Sequence, residues 1–303
     1  MAEPAIRATS LSKHFDDFVA VDNVSFEVNA REVVGYLGPN GSGKTTTIRM
    51  LLGLLLPTGG EARVLGWDIV RDAEKLRREV GYMSQKFALY DELSVWENLA
   101  FYAGVYGVGD RQLLQGSLDR LGLGSQKDQR AGDLPTGFRQ RLALATAIVH
   151  QPRLLFLDEP TSGVDPNARR AFWDLIYSLA EEGITIFATT HFMDEAEYCQ
   201  RVGVMRAGKL LAFDAPSRLK QTALDGLAWD VRLADLLAGL ELLEGVQGVQ
   251  RVGLAGDHLR VIADAALGQK TIAATLKQAG LADARIEAAE PNLEDVFLAL
   301  AGE

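Results

Sequence analysis

Val33-Val34-Gly35-Tyr36-Leu37-Gly38-Pro39-Asn40-Gly41-Ser42-Gly43-Lys44-Thr45-Thr46 decides the fold. An uninterrupted apolar run at 33–37 reads as a buried strand, Gly38 ends it abruptly, and a helical pattern covers 43–55 before Pro57 and Gly59-Gly60 stop it. Between strand and helix stand Gly38, Pro39, Asn40, Gly41, Ser42, Gly43, Lys44 and Thr45, with Thr46 next. This is the pattern of a glycine, four residues and Gly-Lys-Thr in the context that a phosphate-gripping loop requires. Glycines let backbone N–H groups turn onto phosphates, the helix start adds partial positive charge, Lys44 reaches the β- and γ-phosphates, and Thr45 can ligate Mg2+. The reading is a nucleoside triphosphate, ATP, with Mg2+. A plain glycine turn before a helix is the alternative, and it explains neither the Lys-Thr pair nor the acids that follow.

Those acids close the apolar stretch Leu154-Leu155-Phe156-Leu157-Asp158-Glu159. A buried strand aims Asp158 at the metal, and Glu159 is placed to orient or deprotonate an attacking water. Taken alone, acids can also simply end a strand before the Pro160 turn.

Around these motifs the chain reads as α/β. Strand patterns fall at 6–11, 24–28, 33–37, 154–157 and 184–189, with a helix over about 167–182 that makes the last two parallel neighbours. A mainly helical insert occupies about 86–150, and its apolar spacing is plain from 93 onward. Beyond 220 the texture changes to short strands at 228–233 and 249–263 and two helical stretches ending at 300. The expected division is therefore 1–220 and 221–303. The phosphate loop occurs once.

Composition narrows the function. With 303 residues and 48% hydrophobic side chains there is material for a sizeable core. The formal charge of -10, without a Lys/Arg cluster, disfavours nucleic acid as a partner. Cys199 is the only cysteine, so no internal disulfide and no multi-cysteine metal site can form. No basic-then-apolar leader opens the sequence, and the longest apolar stretch, 50–56, is too short to span a bilayer. The expectation is a cytoplasmic protein whose membrane contact comes only through a partner.

Taken in order and spacing, the loop, Gln85, the segment Leu134-Pro135-Thr136-Gly137-Phe138-Arg139-Gln140-Arg141, Asp158-Glu159, Asp165 and His191 resemble the nucleotide-binding subunit of ATP-binding cassette (ABC) transporters, across about residues 5–220. The resemblance implies a P-loop NTPase cassette: a parallel or mixed sheet core with an antiparallel β subdomain and a helical subdomain, followed here by a small C-terminal α/β domain. It also assigns roles. Gln85 senses Mg2+ and water and reports to a transmembrane permease, which docks near it and along 86–98. His191 contacts the γ-phosphate, Asp165 meets a second cassette, and Phe15 takes the adenine-stacking place. Leu134, Thr136, Gly137 and Gln140 belong to the signature that covers ATP held by the opposite subunit, in a homodimer or a pair of homologues. Without that resemblance, Gln85 is an ordinary surface residue, His191 a structural strand-end histidine and Phe15 a core aromatic.

One element departs from the family pattern, Leu-Ser-Gly-Gly followed by Gln. Pro135 replaces the signature serine and offers neither hydroxyl nor N–H; Thr136 brings a hydroxyl one residue later, and Gly137 keeps its N–H. Two readings follow: an ATPase coupled to export, or an ATP-binding regulatory cassette that scarcely hydrolyses. The segments around 134–141 and 158–166, and Thr190-His191-Phe192-Met193-Asp194-Glu195-Ala196-Glu197-Tyr198-Cys199, resemble a bacterial branch that pairs with type-2 permeases. Glu290-Pro291-Asn292-Leu293-Glu294-Asp295-Val296-Phe297-Leu298 resembles the closing motif of drug and polysaccharide exporter cassettes, implying an enzyme peripheral to the inner face of the cell membrane. Residues 221–303 are then a regulatory or dimer-stabilising module, or a packing appendage. A ribosome-acting cassette would carry two phosphate loops and a chromosome-structure ATPase a long coiled coil; the sequence has neither.

Overall fold

The computed structural model describes residues 3–224 and 226–302. From the N-terminus run β1 (Ile6–Phe15), β2 (Phe18–Val28), β3 (Val33–Leu37), α1 (Lys44–Leu51), β4 (Gly59–Val64), β5 (Trp67–Asp68), α2 (Ala73–Glu79) and β6 (Val80–Met83). Three helices follow, α3 (Val95–Val105), α4 (Arg111–Arg120) and α5 (Thr136–Ile148). Then come β7 (Leu154–Asp158), α6 (Pro166–Glu181), β8 (Thr185–Thr190), α7 (Met193–Ala196), β9 (Arg201–Arg206) and β10 (Lys209–Asp214).

A six-stranded sheet in the order β10-β9-β3-β8-β7-β6 carries the site. All its neighbours are parallel except the edge pair β9 and β10, as in doubly wound folds with an antiparallel edge. Every residue of β3, β7 and β8 is buried, which is why these strands read as continuous apolar or Thr-rich runs rather than alternating ones. A second, antiparallel sheet has the order β2-β1-β4-β5. One core joins residues of both sheets: Ile6, Val24 and Phe26 pack with Tyr36, Phe156 and Phe187.

Several sequence expectations need correction. The strand expected over 6–11 runs on to Phe15 as half of a long hairpin. The helix expected to reach residue 55 ends at Leu51, because Gly53 turns left-handed at φ 63°. Strands β4, β6, β9 and β10 were not foreseen.

The chain divides into one compact unit ending at Ala215 and another beginning at Pro216, rather than near residue 221. The second unit holds α8 (Pro216–Thr222), β11 (Leu227–Arg232), α9 (Leu236–Glu244), β12 (Val249–Ala255), β13 (His258–Ala263), α10 (Gln269–Gln278), β14 (Arg285–Ala289) and α11 (Leu293–Ala301). The strand expected over 249–263 is a hairpin, turned at Gly256 with φ 63°. Its antiparallel sheet, β12-β13-β11-β14, packs Val231, Leu259 and Val261 against Leu243, Ile272 and Leu276. Asn292 and Asp295 form a reciprocal capping box at the start of α11.

Candidate functional site

Parallel register brings the chemistry together. Leu37 pairs with Thr190, and Asp158 with Thr189, so the carboxyl ends of β3, β7 and β8 finish side by side. That edge is where open α/β sheets bind their ligands. From it emerge the loop after β3, the acids after β7 and His191 after β8.

Backbone geometry shapes the loop. Gly43 caps α1 at φ 103°, and a Cβ there would lie 2.5 Å from the carbonyl of Ala20, so glycine is required on both counts. No side chain caps α1 and its first turn holds no acid, which leaves the opening N–H groups available to an anion. Ser42 Oγ is buried without a hydrogen-bond partner, an orphan that a phosphate oxygen would satisfy. Lys44 is buried too. Its Nζ donates to the carbonyls of Gly38 (2.7 Å) and Pro39 (3.1 Å) and lies 3.2 Å from Glu159 Oε1.

Asp158 Oδ1 accepts hydrogen bonds from Thr45 Oγ1 at 2.9 Å and Thr189 Oγ1 at 2.8 Å. Burial nonetheless holds its carboxyl above the usual carboxylate range, against the pull of those hydroxyls and of Lys44. A buried, hydroxyl-flanked carboxylate of this kind fits a hard divalent cation, so Thr45 and Asp158, with Gln85 nearby, match Mg2+.

The raised pKa has a consequence for stability. The folded state binds this proton more tightly than the unfolded chain, so stability falls as pH rises from the unfolded pKa through the folded one. In the absence of nucleotide and metal, Asp158→Asn therefore melts at a higher temperature than the unaltered protein at neutral pH. The gap closes as pH drops below about 4, where both states of the unaltered carboxyl are protonated. Thermal melts across pH check this; an Asn variant that is less stable at neutral pH contradicts it.

Glu159 is the hub. Its backbone is left-handed at φ 48°, a strained conformation for a non-glycine residue, and is held by a hydrogen bond from its N–H to Thr189 Oγ1 at 2.9 Å. That turn swings the carboxylate into the cleft. There Gln85 Nε2 donates to Oε2 at 3.0 Å, and His191 Nδ1 stands 3.3 Å from the same oxygen without the alignment of a hydrogen bond. Lys44, Gln85 and His191, far apart in sequence, thus converge on the carboxylate of Glu159.

The cleft beside the loop, about 260 Å3, is lined by Phe18, Ala20, loop residues 40–46, Gln85 and Glu159. Its aromatic is Phe18, 62% exposed; Phe15, the expected stacking residue, sits across the hairpin turn beneath Lys13 and is not part of the lining. A larger groove of about 890 Å3 lies in the C-terminal unit, but its arginines are already matched: Arg260 pairs with Asp230 and Asp295, and Arg251 with Asp295.

The signature segment divides. Pro135 caps α5 without any side-chain hydrogen bond, Thr136 is exposed at the first helical position, and Gly137 follows it. Leu134 and Gln140, expected to touch nucleotide, are buried, and Gln140 Nε2 donates to the carbonyl of Pro160, so these two hold the helix start in place from inside. Asp165 is exposed, and its carboxylate caps α6 by accepting from the N–H groups of Asn167 and Ala168. Thr189 escaped the sequence reading, because a threonine in a strand carries no sign beyond β-propensity.

Comparison with known proteins agrees with this geometry. Residues 21–162 match the ABC transporter family. The "Probable multidrug ABC transporter ATP-binding protein YbhF" of Escherichia coli (strain K12) is 51% identical over 221 residues. That match spans 72% of this chain but only 38% of the relative's length. The "Nod factor export ATP-binding protein I" of Paraburkholderia xenovorans (strain LB400) is 38% identical over 306 residues, covering 100% of this chain and 98% of the relative. Among solved structures, cbiO1 from Clostridium perfringens, part of the ABC transporter complex cbiONQ, aligns with a TM-score of 0.66 at 28% identity, covering 73% of this chain and 92% of that one. A glycine-rich loop, an aspartate, a glutamate and a histidine on one sheet edge, with an end-to-end relative at 38% identity, mean that the chain belongs to the ABC transporter family as one of its ATP-binding cassettes.

Proposed function

We propose that the protein is the ATP-hydrolysing subunit of an exporter, working as a pair of cassettes on the inner face of the cell membrane and driving a separate permease. The convergence of Lys44, Gln85 and His191 on the Glu159 carboxylate carries this reading.

In the reaction, the first-turn N–H groups of α1 and the Lys44 ammonium bind the phosphates and stabilise the charge that grows on them. Thr45, Asp158 and Gln85 would hold Mg2+, which would supply positive charge to offset that of the phosphates. Glu159 orients the attacking water and accepts its proton at the carboxylate, and His191 keeps that water and the γ-phosphate in line. Phe18 offers the adenine a ring face. The uncapped start of α5, with Thr136 and Gly137, completes the site of a second cassette, toward which Asp165 faces.

For the permease we assign the surface beyond Gln85. Tyr90 and Phe101, 48% and 45% exposed, pack edge to face with ring centroids 4.9 Å apart, and Tyr102 and Tyr106 continue the aromatic patch along α3. Exposed aromatics of this density suit a protein interface. Among the described residues no helix is long and apolar enough to cross a membrane, so passage of cargo falls to the partner. The relatives' names suggest a cargo of the drug or Nod-factor kind.

Phosphate release from ATP by the purified chain tests the reading. Turnover that requires Mg2+ and stops with a chelator supports it; tight ATP binding with no phosphate release overturns it in favour of a regulatory cassette.

A further inference from the structure

Successive residues of β8 face opposite ways. Thr189 serves Asp158 and Glu159; Thr190 turns to a different partner, the carboxylate of Glu195 in α7. Glu195 is fully buried, at 0% exposure. Its Oε2 accepts from Thr190 Oγ1 at 2.5 Å, its Oε1 accepts from Thr161 Oγ1, and Arg169 Nε of α6 lies 3.5 Å from Oε1. A carboxylate withdrawn from water is costly unless such partners stay in place, so the charge binds three segments together.

Each segment carries part of the site. Thr190 directly precedes His191, and its hydroxyl also accepts from the N–H of Phe192 at 2.9 Å. Thr161 lies in the turn after Glu159, where the Ser162 N–H donates to the Glu159 carbonyl at 3.2 Å. Arg169 lies one turn into the helix that Asp165 caps, and its guanidinium sits 3.7 Å over the Phe192 ring, itself 4.0 Å from the imidazole of His191.

We propose that Glu195 is a positioning residue for hydrolysis: by gathering Thr161, Thr190 and Arg169 it sets His191 against Glu159. The inference rests on the ATPase reading above. Glu195 lies behind the strand end, does not line the cleft, and acts only through His191 and the Glu159 turn.

Glu195→Gln keeps the side chain's volume, removes one of its two hydroxyl acceptors and takes away the buried one of Arg169's two anions, Asp194 at 3.4 Å being the other. The test compares Glu195→Gln, His191→Ala and the double variant in the full chain. Steady-state phosphate release is measured and normalised to sites that bind a fluorescent ATP analogue. The expected result is a fall of about tenfold in kcat for Glu195→Gln, KM for ATP changed by less than about twofold, and no further loss when Glu195→Gln is added to His191→Ala. A merely structural glutamate gives losses that multiply in the double variant; that result, unchanged kcat, or a rise in KM alone overturns the proposal. Should Glu195→Gln fail to fold, Thr161 decides: Thr161→Val lowers kcat at constant KM and Thr161→Ser restores it, whereas full kcat in Thr161→Val sinks the proposal. An unaltered chain without turnover defeats the ATPase reading itself, while turnover with multiplying losses defeats only the role of Glu195.

Discussion

Glu159→Gln binds ATP as well as the unaltered chain and releases phosphate about 10²–10⁴ times more slowly, the range that a positioned general base contributes. The amide fills the same space, and its oxygen still accepts the hydrogen bond from Gln85, so the cleft keeps its shape. The left-handed turn survives as well, because the Thr189 hydrogen bond that holds it reaches the backbone N–H of Glu159 and not its side chain. The basicity is lost, and with it the buried charge that faces Lys44. Equilibrium binding of a nucleotide analogue beside a phosphate-release assay separates the two effects. Normal turnover in this variant sinks Glu159 as the base, and lost binding shows that the carboxylate was holding the cleft open.

Lys44→Ala is expected to fail at an earlier step. Its ammonium is the one charged donor among the loop residues 38–46, and removing a comparable donor from a preorganised site costs about 10²–10³ in rate. Binding falls in parallel, since Lys44 meets the phosphates before and during the reaction. There is also a cost without nucleotide. The carboxylate of Glu159, with 6% of its side chain exposed, loses its buried ion-pair partner, and breaking such a pair from one side costs about 3–5 kcal/mol. The variant should therefore show weak nucleotide binding, no measurable turnover and a lower melting temperature. Turnover close to that of the unaltered protein would remove Lys44 from the mechanism.

The parts of the fold legible in the sequence were those with strong local signals. Val33–Leu37 announced itself because a strand covered on both faces has no polar residue to interrupt it, and the glycines after it mark backbone that turns left-handed. The helix read over about 167–182 is α6, whose start is fixed by Asp165 as the cap and Pro166 at the first helical position. Strand β6, Val80-Gly81-Tyr82-Met83, did not: four residues, one of them glycine, have little propensity, and the strand exists because β7 offers it a parallel edge. The same tertiary origin explains where two of the expected site residues lie. Gln140 was expected at the nucleotide from its place in the signature motif, yet it lies in the interior, where its Nε2 donates to the carbonyl of Pro160. Phe18 displaced Phe15 from the cleft because the hairpin extends past the expected strand end, and its turn decides which ring faces the loop.

Under the proposed mechanism, the contact between Lys44 and Glu159 implies an order of events. At rest the ammonium occupies the very carboxylate that must later take a proton. A triphosphate, with more charge and more oxygens to offer, draws the lysine away, and only then is the glutamate free to engage water. On that proposal the fuel itself unlocks the group that breaks it.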